Sequence, residues 1–310
     1  MSDPTSDGVE PLSRETVAVV GSGLIGASWA ALFLAHGMTV RAWDPNPEAL
    51  ETLRGRVRLA VRQLRQLGCR GQGRLVIERD LAKALAGADF VQESTPERLE
   101  LKHDLYETIE ADISRGTVIA SSTSSMTWSA LSRKMRHPKR LVVAHPFNPP
   151  HLLPLVELYG AAPRPVSRAA AFFRRAGKTV VVLKKEAPGH VANRLASALW
   201  REAVHIVAEG IADVVDVDAA LVDGPGLRWA VMGAHMTYHL GGGAGGIESY
   251  LEHLGPSQER RWQSLGSPRL TPRVRKKLIE GVLMEAAGRS IETLERERDA
   301  KLIRMLRARK

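Results

Sequence analysis

The pattern of apolar and polar positions changes period repeatedly over the first 186 residues. Short apolar runs, typical of buried strands, occupy residues 17–20, 40–43, 90–93, 118–121, 141–144 and 179–183. Stretches of helical length lie between several of them, at residues 24–36, 99–113 and 167–176. Strands that alternate with helices predict a doubly wound α/β fold, in which helices cover both faces of a parallel sheet.

The pattern changes after Pro188 and Gly189 to long helical runs, of which residues 190–211 form the clearest. A glycine run at 241–246 interrupts these helices. The first residues of the chain are polar and contain no apolar segment typical of a signal peptide. We therefore predict a flexible N-terminal tail at residues 1–15, an α/β domain at 16–187 and an all-α domain at 188–310.

Composition narrows the class of protein. With 310 residues, of which 44% are hydrophobic and 25% charged, the chain has the make-up of a folded, soluble protein of about two domains. Residues 17–38 carry no charge, but the three glycines near the start of this stretch and the strand pattern that follows it favour a buried strand, turn and helix over a membrane span. The single cysteine, Cys69, allows neither an intramolecular disulfide nor a cysteine-rich zinc site. We predict a cytoplasmic protein without a metal.

The net charge of +10 raises the question of an anionic partner such as nucleic acid. Toward the carboxyl end, however, the acidic residues Glu292, Glu295, Glu297 and Asp299 are interleaved with Arg296, Arg298 and Lys301. This interleaving is typical of a solvated helix with ion pairs between residues four positions apart. We therefore expect no nucleic-acid partner.

A glycine motif, G-x-G-x-x-G, follows the first predicted strand and opens a predicted helix, and Asp44 ends the next strand. In this context the glycines permit a tight turn, close approach of a pyrophosphate and packing of the helix on the strand. The acidic side chain accepts hydrogen bonds from ribose hydroxyls and repels a 2′-phosphate, which predicts NAD rather than NADP as the cofactor. The residues that we assign to cofactor binding are Gly21, Gly23, Leu24, Ile25, Gly26 and Asp44.

Polar residues follow two later strands, at the strand ends where ligands bind in open α/β sheets. Ser124 lies in a run of serines and threonine after the fourth strand, and His145 and Asn148 follow the fifth. Glu157 comes twelve residues after His145. Oxidation of an alcohol needs a base for the hydroxyl proton, and a carboxylate can fix the tautomer of a histidine base. The alternatives are a helix-capping serine run, a loop histidine and a surface carboxylate.

These motifs, with H-P-F-N-P-P-H at 145–151, P-L-V-E at 154–157 and P-G-H-V-A-N-R at 188–194, resemble the L-3-hydroxyacyl-CoA dehydrogenase family. The resemblance covers residues 16–310. It implies a Rossmann-type NAD-binding domain and a helical domain that binds substrate and dimerises. It implies His145 as the catalytic base with Glu157 as its carboxylate partner. Further positions implied by the family are Ser124, Asn148 and Asn193 at the substrate, Ser124 and Asn193 being counted as catalytic, and Glu97, Lys102 and Ser122 at the cofactor.

Two departures narrow the resemblance. The acyl-CoA enzymes usually have asparagine and an aromatic residue where this chain has Ser122 and Pro146. Both differences are similar to the branch of carnitine 3-dehydrogenases and λ-crystallin-type L-gulonate 3-dehydrogenases. The segment G-P-G-L-R-W-A at 224–230 is most similar to the carnitine enzymes. The branch implies oxidation of a 3-hydroxy acid to a 3-keto acid by a homodimer.

Carnitine as substrate makes a physical demand on the second domain. A trimethylammonium group has no hydrogen-bond donor and is best held by aromatic faces, whereas a carboxylate pairs with arginine. We therefore assign Trp229 and Arg228 to substrate binding. The alternatives that stay open are a short-chain L-3-hydroxyacyl-CoA, L-gulonate, a β-keto intermediate of a biosynthetic pathway and a crystallin-like structural role.

Overall fold

Eight strands form one sheet in the computed structural model, which describes residues 15–309. The order across the sheet is β3-β2-β1-β4-β5-β6-β7-β8. Strands β2 and β3 therefore lie on one side of β1, and β4 to β8 lie on the other. Open α/β sheets bind ligands where the strand order reverses in this way, in the crevice beyond the carboxyl ends of β1 and β4. The predicted tail lies outside the described residues, apart from Glu15. The strands are β1 (Thr16–Val20), β2 (Thr39–Trp43), β3 (Arg74–Glu78), β4 (Phe90–Glu93), β5 (Val118–Ser121), β6 (Leu141–Pro146), β7 (Leu155–Tyr159) and β8 (Thr179–Val182).

Helices fill most of the remaining described chain. Those that precede β8 are α1 (Leu24–Ala35), α2 (Pro47–Gln66), α3 (Leu81–Leu85), α4 (Leu99–Asp112), α5 (Trp128–Leu131) and α6 (Pro163–Arg175). Those that follow it are α7 (Ala192–Glu209), α8 (Val214–Asp223), α9 (Pro225–Trp229), α10 (Ala234–Gly241), α11 (Gly246–Ser264), α12 (Pro272–Ala286) and α13 (Ile291–Ala308).

The strands bury alternate side chains on opposite faces of the sheet. In β1, Val17 and Val19 belong to a core cluster that includes side chains of α1 and α6. Ala18 and Val20 belong to a second cluster, which includes side chains of α4. Because successive side chains of a strand point to opposite faces, the two clusters show that helices cover both faces. The predicted doubly wound α/β class is confirmed.

The prediction that the sheet is parallel is wrong at one place, because β7 runs antiparallel to β6. The segment 147–154 that joins them is shorter than the dozen or so residues that a parallel crossover needs. The pattern of apolar runs also missed β7, in which Glu157 interrupts the apolar positions. The antiparallel register sets His145 directly opposite Glu157.

A buried lysine, Lys178, binds the segment between β6 and β7. The ammonium of Lys178, beside the start of β8, lies 2.7 Å from the carbonyl oxygen of Pro150 and 2.5 Å from that of Leu153. Burial lowers the pKa of Lys178 to about 7. The same ammonium lies 5.0 Å from the ring centre of Trp29. The segment that carries Asn148 is therefore tied to the core of the sheet domain.

The chain divides into two compact units, of which the first ends at Arg194 and the second is Leu195–Lys310. The division falls within α7, a few residues beyond the predicted boundary at 187 and 188. Helix α7 begins at Ala192 and not at residue 190, because Gly189 and His190 both have positive φ angles, 74° and 52°. Within the second unit, α8 packs against α9 and α12, and α10 packs against α11. No helix of the described chain is long and apolar enough to cross a membrane.

Candidate active site

A histidine and a glutamate face each other at the carboxyl end of β6. The Nδ1 atom of His145 lies 3.0 Å from Oε2 of Glu157, and both side chains are buried. Residues directly opposite in an antiparallel pair have their side chains on the same face, about 5 Å apart at Cβ. The register of β6 and β7 therefore brings the two groups into contact.

The second oxygen of Glu157 binds the start of α7. Its Oε1 atom accepts hydrogen bonds from the backbone amides of Val191 (2.9 Å) and Ala192 (3.0 Å). Burial by itself raises the pKa of the Glu157 carboxyl, but the hydrogen bonds from His145 and from these two amides outweigh it. The pKa of Glu157 consequently lies below its ordinary value, and the group is ionised at neutral pH.

Ionised Glu157 determines which nitrogen of His145 carries the proton. A carboxylate can only accept hydrogen bonds, so the proton of neutral His145 lies on Nδ1. The other nitrogen, Nε2, lies 3.4 Å from the side-chain amide of Asn193. That amide also donates to the carbonyl oxygen of Ser124 at 3.3 Å, which fixes its orientation. The geometry leaves His145 with a lone pair on Nε2, as a base requires.

Glu97 holds the serine loop after β5. Its Oε1 atom accepts hydrogen bonds from the amide of Ser124 (2.5 Å) and from the hydroxyl of Ser124 (3.2 Å). Its Oε2 atom accepts from the hydroxyl of Thr123 at 2.8 Å. The contact between Glu97 and Ser124 was not predicted, because the two residues lie in loops after different strands. Glu97 therefore orients a residue that we predicted at the substrate.

A cleft at this edge of the sheet brings seven of the predicted site residues together. The catalytic and substrate candidates on its wall are His145, Ser124, Asn148 and Asn193, and the cofactor candidates are Ile25, Glu97 and Ser122. Glu157 lies behind His145, on the buried side. The hydroxyl of Ser122 is held by the side chains of Trp29 (3.1 Å) and Gln92 (2.9 Å).

The glycine turn after β1 fits a dinucleotide pyrophosphate. Gly21 has a φ angle of 94°, and a Cβ atom on Gly26 would lie 1.8 Å from the carbonyl oxygen of Gly21. A Cβ atom on Gly23 would meet nothing within 4 Å, so the backbone is open there. Helix α1 begins after Gly23 with no side-chain cap and no acidic residue in its first turn. Its amino end is thus available to an anion.

Asp44 lies at the end of β2, on the wall of a second cleft that also includes Gly23, Leu24 and Glu97. Its carboxylate accepts hydrogen bonds from the amides of Ser22 (2.6 Å) and Asn46 (2.9 Å). The two contacts fix the negative charge beside the glycine turn. A ribose with free hydroxyls suits this position, and a 2′-phosphate does not.

A second buried carboxylate, Glu93, was missed by sequence reasoning. It accepts hydrogen bonds from the ammonium of Lys102 (2.6 Å) and from the hydroxyls of Tyr106 (2.7 Å) and Ser121 (2.6 Å). It also accepts from the amide and the hydroxyl of Thr95, each at 2.6 Å. Burial raises the pKa of the Glu93 carboxyl, but the charge of Lys102 and these hydrogen bonds outweigh it and lower the pKa.

The position of Lys102 differs from that of the other cofactor candidates. Its side chain is 1% exposed, and its ammonium is shared between Glu93 and the carbonyl oxygen of Thr95. The lysine therefore lies beneath the Thr95 turn, and its contact with the cofactor stays a prediction. Arg228 and Trp229 lie on α9 of the second unit, and their contact with the substrate also stays a prediction.

An α/β crevice with an open glycine turn, a carboxylate at the end of the second strand and a buried histidine–glutamate pair is the arrangement expected of a dinucleotide-dependent oxidoreductase. Comparison with known families agrees: the description "3-hydroxyacyl-CoA dehydrogenase, NAD binding domain" matches residues 16–187. The description "3-hydroxyacyl-CoA dehydrogenase, C-terminal domain" matches residues 189–283. The chain belongs to the 3-hydroxyacyl-CoA dehydrogenase family, and its cofactor is NAD.

Individual relatives resemble the chain over nearly its whole length. An L-carnitine dehydrogenase of Streptomyces griseus is 47% identical, covering 99% of this chain and 95% of the relative. An L-carnitine dehydrogenase of Pseudomonas aeruginosa is 42% identical, covering 95% of this chain and 94% of the relative. The solved structure of 5-formyl-3-hydroxy-2-methylpyridine 4-carboxylic acid 5-dehydrogenase, an NAD⁺-dependent dismutase, matches with a TM-score of 0.81 and 29% identity, covering 96% of this chain and 100% of that one.

The position of Asp44 predicts the cofactor preference. We expect Asp44→Ala to lower the ratio of kcat/KM with NAD to kcat/KM with NADP by at least about tenfold, which corresponds to about 1.4 kcal/mol. The physical reason is that a carboxylate beside the ribose repels a 2′-phosphate. Asp80 is a matched control, because it follows β3 and caps α3 instead. An unchanged ratio in Asp44→Ala, or an equal change in Asp80→Ala, contradicts the assignment.

Proposed function

We propose that this protein is an NAD-dependent L-carnitine dehydrogenase, which oxidises the 3-hydroxyl group of L-carnitine to a ketone. The observation that carries the proposal is the sequence identity of 41–47% to eight proteins named L-carnitine dehydrogenase, over at least 94% of this chain. The His145–Glu157 pair beside the cleft supports the chemistry. Residues 16–187 form the NAD-binding domain in this proposal, and residues 188–310 form the domain for substrate and dimer contacts.

His145 acts as the base of the reaction. Its Nε2 lone pair takes the proton of the substrate hydroxyl, and the imidazolium that forms is stabilised by Glu157, to which Nδ1 already donates. NAD supplies the acceptor for the hydride that leaves C3. Ser124 and Asn193 hold the substrate oxygen toward Nε2, and Asn148 contributes a further polar group at the cleft.

The substrate-binding groups of the second domain are Arg228 and Trp229. The guanidinium pairs with the carboxylate of carnitine, and the indole ring contacts the trimethylammonium group. Both residues are exposed on the short helix α9. The second candidate substrate is a short-chain L-3-hydroxyacyl-CoA, which the descriptions of both matched domains favour.

We propose further that the protein is a homodimer in the cytoplasm. Exposed apolar side chains are numerous among the described residues of the second unit, and surfaces of this kind mark interfaces. The dimer with two-fold symmetry is the commonest assembly of identical chains. The exposed set includes Val222, Leu227, Val231, Leu240, Trp262, Leu283, Met284 and Ile291.

The role of His145 predicts the effect of two substitutions. His145→Ala should lower kcat by roughly 10²–10⁴, the usual size of general-base catalysis, with little change in NADH binding. Glu157→Gln should be nearly as harmful. The amides of Val191 and Ala192 hold its oxygen, so the new NH₂ group meets Nδ1 of His145 and moves the proton to Nε2.

Steady-state kinetics and NADH titration check both variants. Glu110→Gln is the matched control, because Glu110 is also buried and accepts hydrogen bonds from two backbone amides, those of Arg136 (2.9 Å) and His137 (2.8 Å). The Glu110→Gln variant should keep the kcat of the wild-type protein. Near-normal kcat in His145→Ala rules out the proposed mechanism, and equal losses in the two glutamate variants rule out the role of Glu157.

The substrate proposal predicts that L-carnitine is oxidised with NAD and that L-3-hydroxybutyryl-CoA is a poor substrate. A site that desolvates trimethylammonium gains about 2 kcal/mol from aromatic contact, which a substrate without that group loses. Arg228→Ala should raise KM for carnitine steeply, whereas Arg260→Ala, an exposed arginine of the same unit, should not. If the protein oxidises L-3-hydroxybutyryl-CoA but not carnitine, the carnitine proposal is wrong and the second candidate substrate is supported.

The dimer proposal is tested by light scattering at micromolar concentration. The wild-type protein should have twice the mass of the chain, and Met284→Glu should weaken the dimer because it places a charge in the apolar contact. Met284 is 75% exposed in the described chain. Leu59→Glu is the control, since Leu59 is 55% exposed but lies in the first unit. A monomeric wild type contradicts the proposal.

A further inference from the structure

A second histidine, His190, lies beside His145. His190 comes just before α7 and has a φ angle of 52°, a left-handed conformation that residues other than glycine adopt at a cost. Its side chain is 4% exposed. The ring centres of His190 and His145 are 4.9 Å apart, and the planes are tilted by 38°. The strained backbone thus places a buried imidazole in contact with the base of the site.

The ring of His190 is tied to the serine loop. Its Nε2 atom lies 3.3 Å from the carbonyl oxygen of Thr123. A carbonyl oxygen only accepts, so Nε2 of His190 carries a proton. Thr123 precedes Ser124, and its hydroxyl is bound to Glu97. His190 therefore joins the loop that carries Ser124 to the ring of His145.

His190 is neutral in this setting. Burial lowers the pKa of His190, and the neighbouring His145 lowers it further. The hydrogen bond to Thr123 and the carboxylates of Glu157 and Glu97, which face it from β7 and from the loop after β4, act in the opposite direction but are weaker. A neutral ring can lie beside His145 when His145 gains a proton, whereas a charged ring would repel it.

We propose that His190 is a positioning residue for the oxidation. Its ring packs against the ring of His145 and donates a hydrogen bond to the loop that carries Ser124. The two contacts fix the ring of His145 relative to Ser124. This inference rests on the proposed role of His145 as the base. It assigns His190 no contact with the substrate. The function of His190 is to keep Nε2 of His145 aligned with the substrate hydroxyl, which Ser124 holds.

Two substitutions separate the ring contact from the hydrogen bond. His190→Phe keeps a ring against His145 but loses the donor to Thr123. His190→Gln keeps a donor at similar reach but loses the ring. The strain of the left-handed backbone is common to both. His103→Phe is the matched control, because His103 is also buried and its Nε2 lies 2.8 Å from a backbone carbonyl oxygen, that of Ala130, outside the site.

The measurements are kcat and KM with NAD and carnitine, the solvent deuterium isotope effect on kcat, and Tm. We expect His190→Phe to lower kcat by roughly 10–100-fold, the scale on which misplaced groups act, with KM for NAD unchanged. Its solvent isotope effect should increase, because a displaced base slows proton transfer. His190→Gln should recover part of kcat, and His103→Phe should lower Tm without changing kcat or the isotope effect.

The outcomes are distinguishable from those for the proposed function. Wild-type kcat and isotope effect in His190→Phe overturn this inference but leave His145 as the base. Equal losses of kcat in His190→Phe and His103→Phe overturn it as well, because they reduce the effect to lost stability. Near-normal turnover of His145→Ala overturns both this inference and the proposed mechanism.

Discussion

His145 and Glu157 meet because β6 and β7 run antiparallel in a sheet whose other strand pairs are parallel within the described chain. A short connection between the two strands imposes that direction. The same pairing presents Glu157 to the backbone amides that start α7. The tautomer of His145 follows from this arrangement.

Buried ionisable groups hold the edges of the site, and each is satisfied by fixed partners. Glu157 binds His145 and two backbone amides, and Glu93 binds Lys102, two hydroxyl side chains and the Thr95 turn. Lys178 binds two backbone carbonyl oxygens. Removing one partner of a buried charge is costly, so these contacts resist displacement. The loops after β4, β5 and β6 are therefore positioned by groups that contact little solvent.

The two halves of the site differ in how they are built. The glycine turn and Asp44, which we predict at the cofactor, come from one contiguous segment, β1 to the end of β2, although the cleft beside them also includes Glu97 from the loop after β4. The part of the site around His145 joins residues from three further, separate parts of the chain: Glu97, Ser124 and Asn193. An NAD-binding segment of this kind combines with different substrate groups, which is why family membership leaves the substrate to be tested.

The sequence by itself determined the doubly wound class, most strands of the sheet and the glycine turn, because periodicity and turn chemistry are encoded within about 30 neighbouring residues. The family resemblance, carried by sequence motifs, predicted His145 as the base and Glu157 as its carboxylate partner. Only the tertiary structure decided the direction of β7, the binding of Glu97 to Ser124 and the position of His190 beside His145. These depend on strand register and on a left-handed backbone at His190, and contacts between residues far apart in the chain leave no periodic trace in its sequence.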